Sequence, residues 1–206
     1  MARPALIRRG LLLEYLTVGW NVVEGFVAVL AGIASGSIAL IAFGVDSIVE
    51  TISGVVLIWR LKSEERGELD EEGIERIERR AELLVGVSFM ILAAYVAFEA
   101  IRTLITAEAP DASPIGIVLT AVSIGVMLWL AMAKLRVGQA LGSRALIADS
   151  HQTRACWYLS AVALVGLALN ALLGWWWADP VAALAIVVLL VREGWEALNG
   201  EDDDDD

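Results

Sequence analysis

Three residue types are scarce in this 206-residue sequence, which has one cysteine, one histidine and two lysines. A lone cysteine cannot form an intramolecular disulfide, so the sequence excludes a disulfide scaffold and leaves Cys156 as a free thiol or a ligand. Basic residues are also few, because 15 lysines and arginines face 26 aspartates and glutamates and give a formal net charge of −11. This balance argues against a nucleic-acid-binding protein.

Apolar residues, by contrast, are abundant. They make up 58% of the chain, and its mean hydropathy is +0.70, whereas a soluble domain has about 45–50% apolar residues. This composition excludes an ordinary globular enzyme and a disordered chain. It supplies enough apolar residues for about six membrane-spanning helices of ~20 residues each.

We predict an all-α polytopic membrane protein with six transmembrane helices, since the apolar stretches are too long for the ~10-residue alternating strands of an outer-membrane barrel. The helices form one domain over residues 1–198, and the acidic tail 199–206 is expected to be disordered. The charged segment 62–82 is predicted to be a solvated loop or helix end. The six predicted spans are 11–31, 38–61, 83–105, 115–133, 145–173 and 180–198.

Basic residues fall on one side of the predicted membrane. Thirteen of the 15 lie before span 1, between spans 2 and 3, between spans 4 and 5, or near the end of span 6. Arg102 lies on the other side, and Arg154 lies inside span 5. Since positively charged loops stay in the cytoplasm, we expect a multi-pass protein of the plasma or inner membrane with both termini cytoplasmic.

Polar side chains follow single helical faces in three of the spans, as their spacing of three or four residues indicates. A carboxylate in hydrocarbon is costly, so acids within a span point to the bundle interior or to an ion path. Asp46 and Glu50, one turn apart in mid-span, are the strongest candidates for function. The three faces consist of Glu14, Thr17, Asn21 and Glu24 in span 1, Asp46 and Glu50 in span 2, and Asp149, Gln152 and Cys156 in span 5.

Other polar residues have simpler explanations. Glu14 lies near the predicted cytoplasmic end of span 1, where we expect solvation at the membrane interface. Glu99 and Arg102 are three residues apart and predict a local ion pair. His151 lies beside the polar face of span 5, so it is either a ligand or an exposed residue near the cytoplasmic mouth.

A short internal repeat relates the two halves of the chain. Residues 36–42 (GSIALIA) and 142–148 (GSRALIA) agree at six of seven positions, at an offset of 106 residues. The copies precede spans 2 and 5, so they enter the membrane from opposite sides. We therefore predict an inverted 3+3 repeat with a site near the midplane. The offset pairs Asp46 with Gln152, and Glu50 with Cys156.

The segments 36–54 (GSIALIAFGVDSIVETISG) and 145–190 resemble the membrane domain of the cation diffusion facilitator family of metal/proton antiporters. The resemblance implies a six-helix bundle that forms a homodimer and exports Zn²⁺ or a related divalent ion. It also implies a tetrahedral site with two ligands from span 2 and two from span 5, each pair spaced i, i+4. Carried over by position, these ligands are Asp46, Glu50, Gln152 and Cys156.

This chain departs from the family pattern in span 5, where the family usually has His and Asp. The metal preference therefore stays open: Zn²⁺ is the expected transported substrate, with Fe²⁺, Co²⁺ and Mn²⁺ as alternatives. Possible additional ligands or proton relays are Asp149, His151, Glu24 and Asn21. The family's cytoplasmic C-terminal domain is expected to be absent, because only about eight polar residues follow span 6.

The residues and the resemblance together predict a divalent metal cation transporter that exchanges metal for protons. Its partners would be the metal ion, protons, the lipid bilayer and a second copy of the chain. The alternative is a membrane scaffold or metal-sensing relative that has lost transport along with its usual ligands. A third possibility is an intramembrane hydrolase with Asp46 and Asp149 as a catalytic dyad.

Overall fold

The computed structural model describes residues 3–66 and 71–199, and these residues form six α-helices. The helices are α1 (Arg3–Ser35), α2 (Ile38–Arg66), α3 (Glu71–Thr106), α4 (Pro114–Leu141), α5 (Arg144–Leu173) and α6 (Ala178–Asn199). No strand occurs within the described residues. The predicted all-α fold is confirmed.

Five of the described helices, α1 to α5, are long and apolar enough to cross a membrane. The chain is therefore a multi-pass membrane protein. Helix α6 is not among the five, because Arg192 and Glu193 follow its apolar run and Asp179 precedes it. Most helices extend beyond the predicted spans; α4, for example, continues eight residues past 133, to Leu141.

The charged segment 62–82 is largely helical rather than a loop. Helix α2 continues to Arg66, and α3 begins at Glu71. Residues 67–70 between them lie outside the described residues. The predicted acidic tail also lies outside them, apart from Asn199, the last residue of α6.

The chain reverses at each connection, so alternate connections lie at opposite ends of the bundle. We call these ends the α1–α2 end and the α4–α5 end. At the α1–α2 end, the Asp111 amide donates to the Ser35 carbonyl at 2.8 Å, and the Asn170 side chain donates to the Pro110 carbonyl at 2.9 Å. Helix α1 packs along α2 and α4, and α5 packs along α4, α6 and α2.

Two equivalent tight turns form the α1–α2 and α4–α5 hairpins. Gly36 and Gly142 have left-handed backbone angles of φ +71° and +67°, which glycine adopts without the steric cost of a Cβ atom. Because the two turns lie at opposite ends of the bundle, their equivalence supports the predicted inverted repeat. The bonds that close the turns, Ser37 N to Gly32 O and Ser143 N to Gly138 O, are both 3.0 Å long.

Candidate functional site

The polar face of α1 lies inside the bundle, as its spacing predicts. Its four members, Glu14, Thr17, Asn21 and Glu24, are all buried. The opposite face carries exposed apolar side chains such as Val22 and Phe26, which suit contact with lipid. Helix α1 is therefore amphipathic: its polar face lies in the bundle interior, where α1 packs against α2 and α4.

Glu50 is the centre of the candidate site. Electrostatic interactions connect its buried carboxyl group to Asn21 on α1 and to the Cys156 thiol on α5. Neither Glu50 oxygen makes a hydrogen bond of standard geometry with the described residues, and the same holds for both polar atoms of the Asn21 side chain. Buried polar groups normally have partners, so this arrangement has unused capacity to bind a cation or a proton.

Glu24 extends the polar interior beyond Glu50. The Ser47 hydroxyl donates to Glu24 Oε2 at 3.2 Å, whereas Glu24 Oε1 is buried without a hydrogen-bond partner in the described part of the chain. Ser123 on α4 also interacts with Glu24. The same serine accepts a hydrogen bond from the Ser160 hydroxyl on α5 at 3.2 Å. Four helices thus contribute polar groups to one buried region.

The predicted metal ligands are only partly brought together. Asp46 is buried and interacts electrostatically with Glu50, and Glu50 in turn lies beside Cys156. Gln152 is half-buried, and its side-chain amide donates to the Ser53 hydroxyl at 3.5 Å. Among the described residues, no group of three or more His, Cys, Asp or Glu side chains is arranged to hold a metal ion. The four-ligand set stays a prediction.

His151 lies on the exposed surface of α5. Its Nδ1 atom is 3.2 Å from the guanidinium of Arg154, which is also exposed. Of the two interpretations of this residue, the structure favours an exposed histidine near the end of the bundle. The predicted Glu99–Arg102 ion pair is confirmed, with a separation of 3.2 Å.

A fully buried lysine joins α1, α4 and α5. The Lys134 ammonium donates to Glu14 Oε2 at 3.2 Å, to Asp149 Oδ2 at 2.5 Å and to Thr153 Oγ1 at 3.2 Å. The side chains of Lys134 and Glu14 are 0% exposed, and that of Asp149 is 8% exposed. A buried ion pair of this kind costs about 3–5 kcal/mol to break by removing one partner.

This ion-pair group corrects three expectations. The predicted interfacial solvation of Glu14 is wrong, because Lys134 draws its carboxylate into the bundle. Lys134, counted among the basic residues between spans 4 and 5, instead lies inside α4, which continues past it to Leu141. Asp149 faces Lys134 rather than Asp46, so the two aspartates do not form a catalytic dyad in this structure. The missed signal was the recurrence of apolar residues beyond position 134, at Val137 and Leu141.

Asp179 of α6 holds the start of the helix that carries the two central carboxylates. Its buried carboxylate accepts hydrogen bonds from the Ser37 hydroxyl at 2.5 Å and from the Ile38 amide at 2.9 Å. A carboxylate at a helix N-terminus satisfies amides that lack partners within the helix and is favoured by the helix dipole. Asp179 thereby fixes the start of α2, and with it Asp46 and Glu50, relative to α6.

The fold and its interior define a polytopic membrane protein with acidic and thiol side chains buried between its helices. The chain belongs to the cation efflux family: the family's sequence model, the cation efflux transmembrane domain, matches residues 15–199. This match confirms the resemblance to the cation diffusion facilitators.

Three proteins from different organisms are similar to most of this chain. An uncharacterized transporter of Methanocaldococcus jannaschii is 26% identical over 179 residues, which are 86% of this chain and 63% of that protein. The magnetosome protein MamB of a Magnetospira species is 26% identical over 193 residues, 90% of this chain and 64% of that protein. A cadmium, cobalt and zinc/H(+)-K(+) antiporter of Bacillus velezensis is 22% identical over 192 residues, 91% of this chain and 59% of that protein. The chain thus spans somewhat less than two thirds of these relatives.

Proposed function

We propose that this chain is the membrane domain of a divalent metal cation transporter, not an enzyme, and that it moves Zn²⁺ out of the cell in exchange for protons. The observation that carries the proposal is Glu50: a carboxyl group in mid-bundle beside an amide and a thiol, whose two buried oxygens make no hydrogen bond of standard geometry within the described part of the chain. Family membership and a relative named as a zinc/H(+)-K(+) antiporter support the same activity.

The donor set suits a borderline-soft divalent ion. In our proposal, Asp46 and Glu50 supply carboxylate oxygens and Cys156 supplies a thiolate, a combination that Zn²⁺ accepts and that Fe²⁺, Co²⁺ and Mn²⁺ accept less selectively. Gln152 would complete the shell through its amide oxygen after leaving Ser53. Asn21 and Glu24 on α1 lie on the continuation of the same polar region and would serve as a further ligand or as a proton relay.

Coupling to protons follows from the chemistry of these ligands. Metal binding requires deprotonated carboxyl and thiol groups, so the ion displaces protons when it binds. Protonation from the opposite side of the membrane would release it. An exchange of metal for protons then results once the bundle alternates between two access states.

We further propose that the protein works as a homodimer in the cell membrane, with both termini in the cytoplasm. The excess of basic residues at the α4–α5 end supports this orientation. The small residues Ala93 and Ala100 of α3 are buried within one chain, so they cannot form the contact between two chains. A dimer would therefore have to use exposed apolar faces of the helices.

A second candidate function is a membrane scaffold or metal sensor without transport. The Gln152–Ser53 hydrogen bond favours this second function. Gln152 stands where the family usually has histidine, and this hydrogen bond keeps its side chain away from the proposed metal site. The two functions differ in whether a metal gradient moves across a sealed membrane.

Metal flux into proteoliposomes tests the proposal. The purified full chain is reconstituted with an internal zinc-sensitive dye and an internal pH dye, and Zn²⁺ is added outside under an opposing proton gradient. We expect zinc uptake with proton movement in the opposite direction, and loss of both in Asp46→Ala and Glu50→Ala. Glu99→Gln is the matched control, because this carboxylate is paired with Arg102 near the surface. Zinc uptake in Glu50→Ala at the wild-type rate would refute the site, and no flux in the wild type would favour the scaffold.

A further inference from the structure

Lys134, Glu14, Asp149 and Thr153, which we call the Lys134 cluster, form an oxygen-lined position that the proposed transport site does not use. A lysine ammonium has three N–H donors and no acceptor. All three have partners here, because Nζ lies 2.5–3.2 Å from one oxygen each of Glu14, Asp149 and Thr153. The oxygens come from α1 and α5 and surround a single buried point.

The cluster contains more acidic groups than its lysine can neutralise. Two carboxyl groups, of Glu14 and Asp149, face one ammonium. The second oxygen of Glu14, Oε1, is buried and has no hydrogen-bond partner among the described residues. A buried carboxylate oxygen without a partner is costly, so these oxygens are better suited to surrounding a cation than to a minimal salt bridge.

The Lys134 cluster lies along the same buried face of α1 as the candidate metal site. Glu14 and Asn21 are seven residues apart on the buried face of α1, about 10 Å along the helix. Lys134 interacts electrostatically with Glu50. A charge held at this point is therefore felt by the carboxylate at the centre of the candidate site.

We propose that the Lys134 cluster is a monovalent-cation site whose cation is supplied by the chain itself. The ammonium of Lys134 occupies the point at which Na⁺ or K⁺ would otherwise be bound by Glu14, Asp149 and Thr153. Because the ammonium is covalently attached to the chain, it occupies this point permanently. The wild-type protein therefore needs no inorganic cation to neutralise these carboxyl groups. This inference concerns the cluster alone and does not depend on which metal the protein transports.

The test removes the tethered cation and asks whether an inorganic one replaces it. Lys134→Ala takes away the ammonium and its stem and leaves a polar space large enough for an ion with water. Thermal unfolding of the purified chain in detergent is measured in choline chloride, NaCl and KCl at equal ionic strength. We expect the Tm of Lys134→Ala to be about 3–6 °C higher in NaCl or KCl than in choline chloride, as a tenfold excess over Kd would give. The wild-type Tm should be the same in all three salts.

Three variants keep the test specific. Lys62→Ala removes the other lysine of the chain, which is exposed and lies over the Tyr15 ring, and it should show no dependence on the cation. Lys134→Arg keeps a tethered cation and should also be insensitive. Lys134→Ala with Asp149→Asn removes a binding oxygen charge and should lose most of the shift.

A Tm of Lys134→Ala that is equal in choline, sodium and potassium chloride would overturn the inference and leave the cluster as a structural ion pair. If Lys134→Ala does not fold, Lys134→Ser replaces it, since this change also removes the ammonium and keeps both carboxyl groups of the cluster. Stabilisation of Lys134→Ser by Na⁺ or K⁺ supports the inference, and its absence overturns it.

Discussion

Replacement of Asp179 by alanine should loosen α2 from α6 and destabilise the whole bundle. Asp179 is almost fully buried and accepts hydrogen bonds from Ser37 Oγ and from the Ile38 amide, with the Ala39 amide at 3.5 Å. The variant leaves the first amides of α2 without this acceptor. Since Asp179, Ser37 and Ile38 are all buried, water can replace the lost oxygens only partly.

The size of the effect follows from these contacts. A hydrogen bond to a charged group contributes about 1.5–3 kcal/mol, so loss of the two short ones would cost about 3–6 kcal/mol. Part of this is offset because a buried carboxylate leaves an apolar environment. We expect a net loss of about 2–4 kcal/mol in the free energy of unfolding, which is a fall in Tm of about 4–16 °C for a chain of this length.

Thermal unfolding followed by tryptophan fluorescence measures this change close to its origin, because the stacked pair Trp175 and Trp177 lies just before Asp179. Asp179→Asn keeps one acceptor oxygen and should lose about half as much stability. Asp111→Ala is the control: its exposed side chain lies at the same end of the bundle, and surface changes are usually within ±0.5 kcal/mol. If Asp179→Ala unfolds at the same temperature as Asp111→Ala, the carboxylate does not hold α2 and the reasoning is refuted.

Four further predictions follow from the site and the topology. Cys156→Ser should weaken Zn²⁺ binding by about tenfold or more and Mn²⁺ binding less, because a hydroxyl replaces a soft thiolate; isothermal titration with equal loss for both ions would contradict the role of the thiol. Gln152→His combined with Cys156→Asp restores the usual family ligands and should raise Zn²⁺ affinity in the same titration, whereas unchanged affinity would place the metal elsewhere. In sealed cells, Glu108→Cys should react with an impermeant maleimide and Gln139→Cys should not, since they lie at opposite ends of the bundle; the reverse pattern would invert the proposed orientation. Light scattering in nanodiscs should give the mass of two chains, and a monomer there would exclude the homodimer.

Much of the fold could be predicted from hydrophobic length and spacing. The apolar stretches placed all six helices, because a membrane requires long continuous apolar segments whatever their detailed sequence. The buried face of α1 was predicted for a similar reason: a spacing of three and four residues places its polar side chains on one side of a helix. Helix ends were less predictable, since hydropathy marks where the bilayer ends and not where helical hydrogen bonding stops.

The partners of the polar residues could not be predicted from spacing. Lys134 and Asp149 are 15 residues apart, but Glu14 is 120 residues from Lys134, and only the packing of α1 on α4 brings them together. The same applies to Asp179 and Ser37, which are 142 residues apart. Within one helix the sequence indicates which side chains share a face; which face of another helix they meet depends on the packing of the bundle.

The internal repeat shows where the two halves of the chain have diverged. An offset of 106 residues places the polar face of α1 onto Thr120, Ser123, Met127 and Leu130 of α4, and all four are buried like their counterparts. The repeat has therefore kept the packing of the face but not its charge. The same offset places Lys134 onto Ala28, another buried position.

This asymmetry separates the structural part of the repeat from its functional part. A symmetric bundle would place equal charges at equal depths from both ends, whereas here the carboxylates of the α1 face and of α2 come from the first half. The second half contributes the thiol of Cys156, the ammonium of Lys134 and the carboxylate of Asp149 that pairs with it. Packing alone would have allowed apolar residues at Asn21 and Glu24, as it does at the equivalent positions Met127 and Leu130. We therefore infer that the polar groups on α1 serve binding or electrostatics. Their position beside Glu50 ties that role to the candidate metal site.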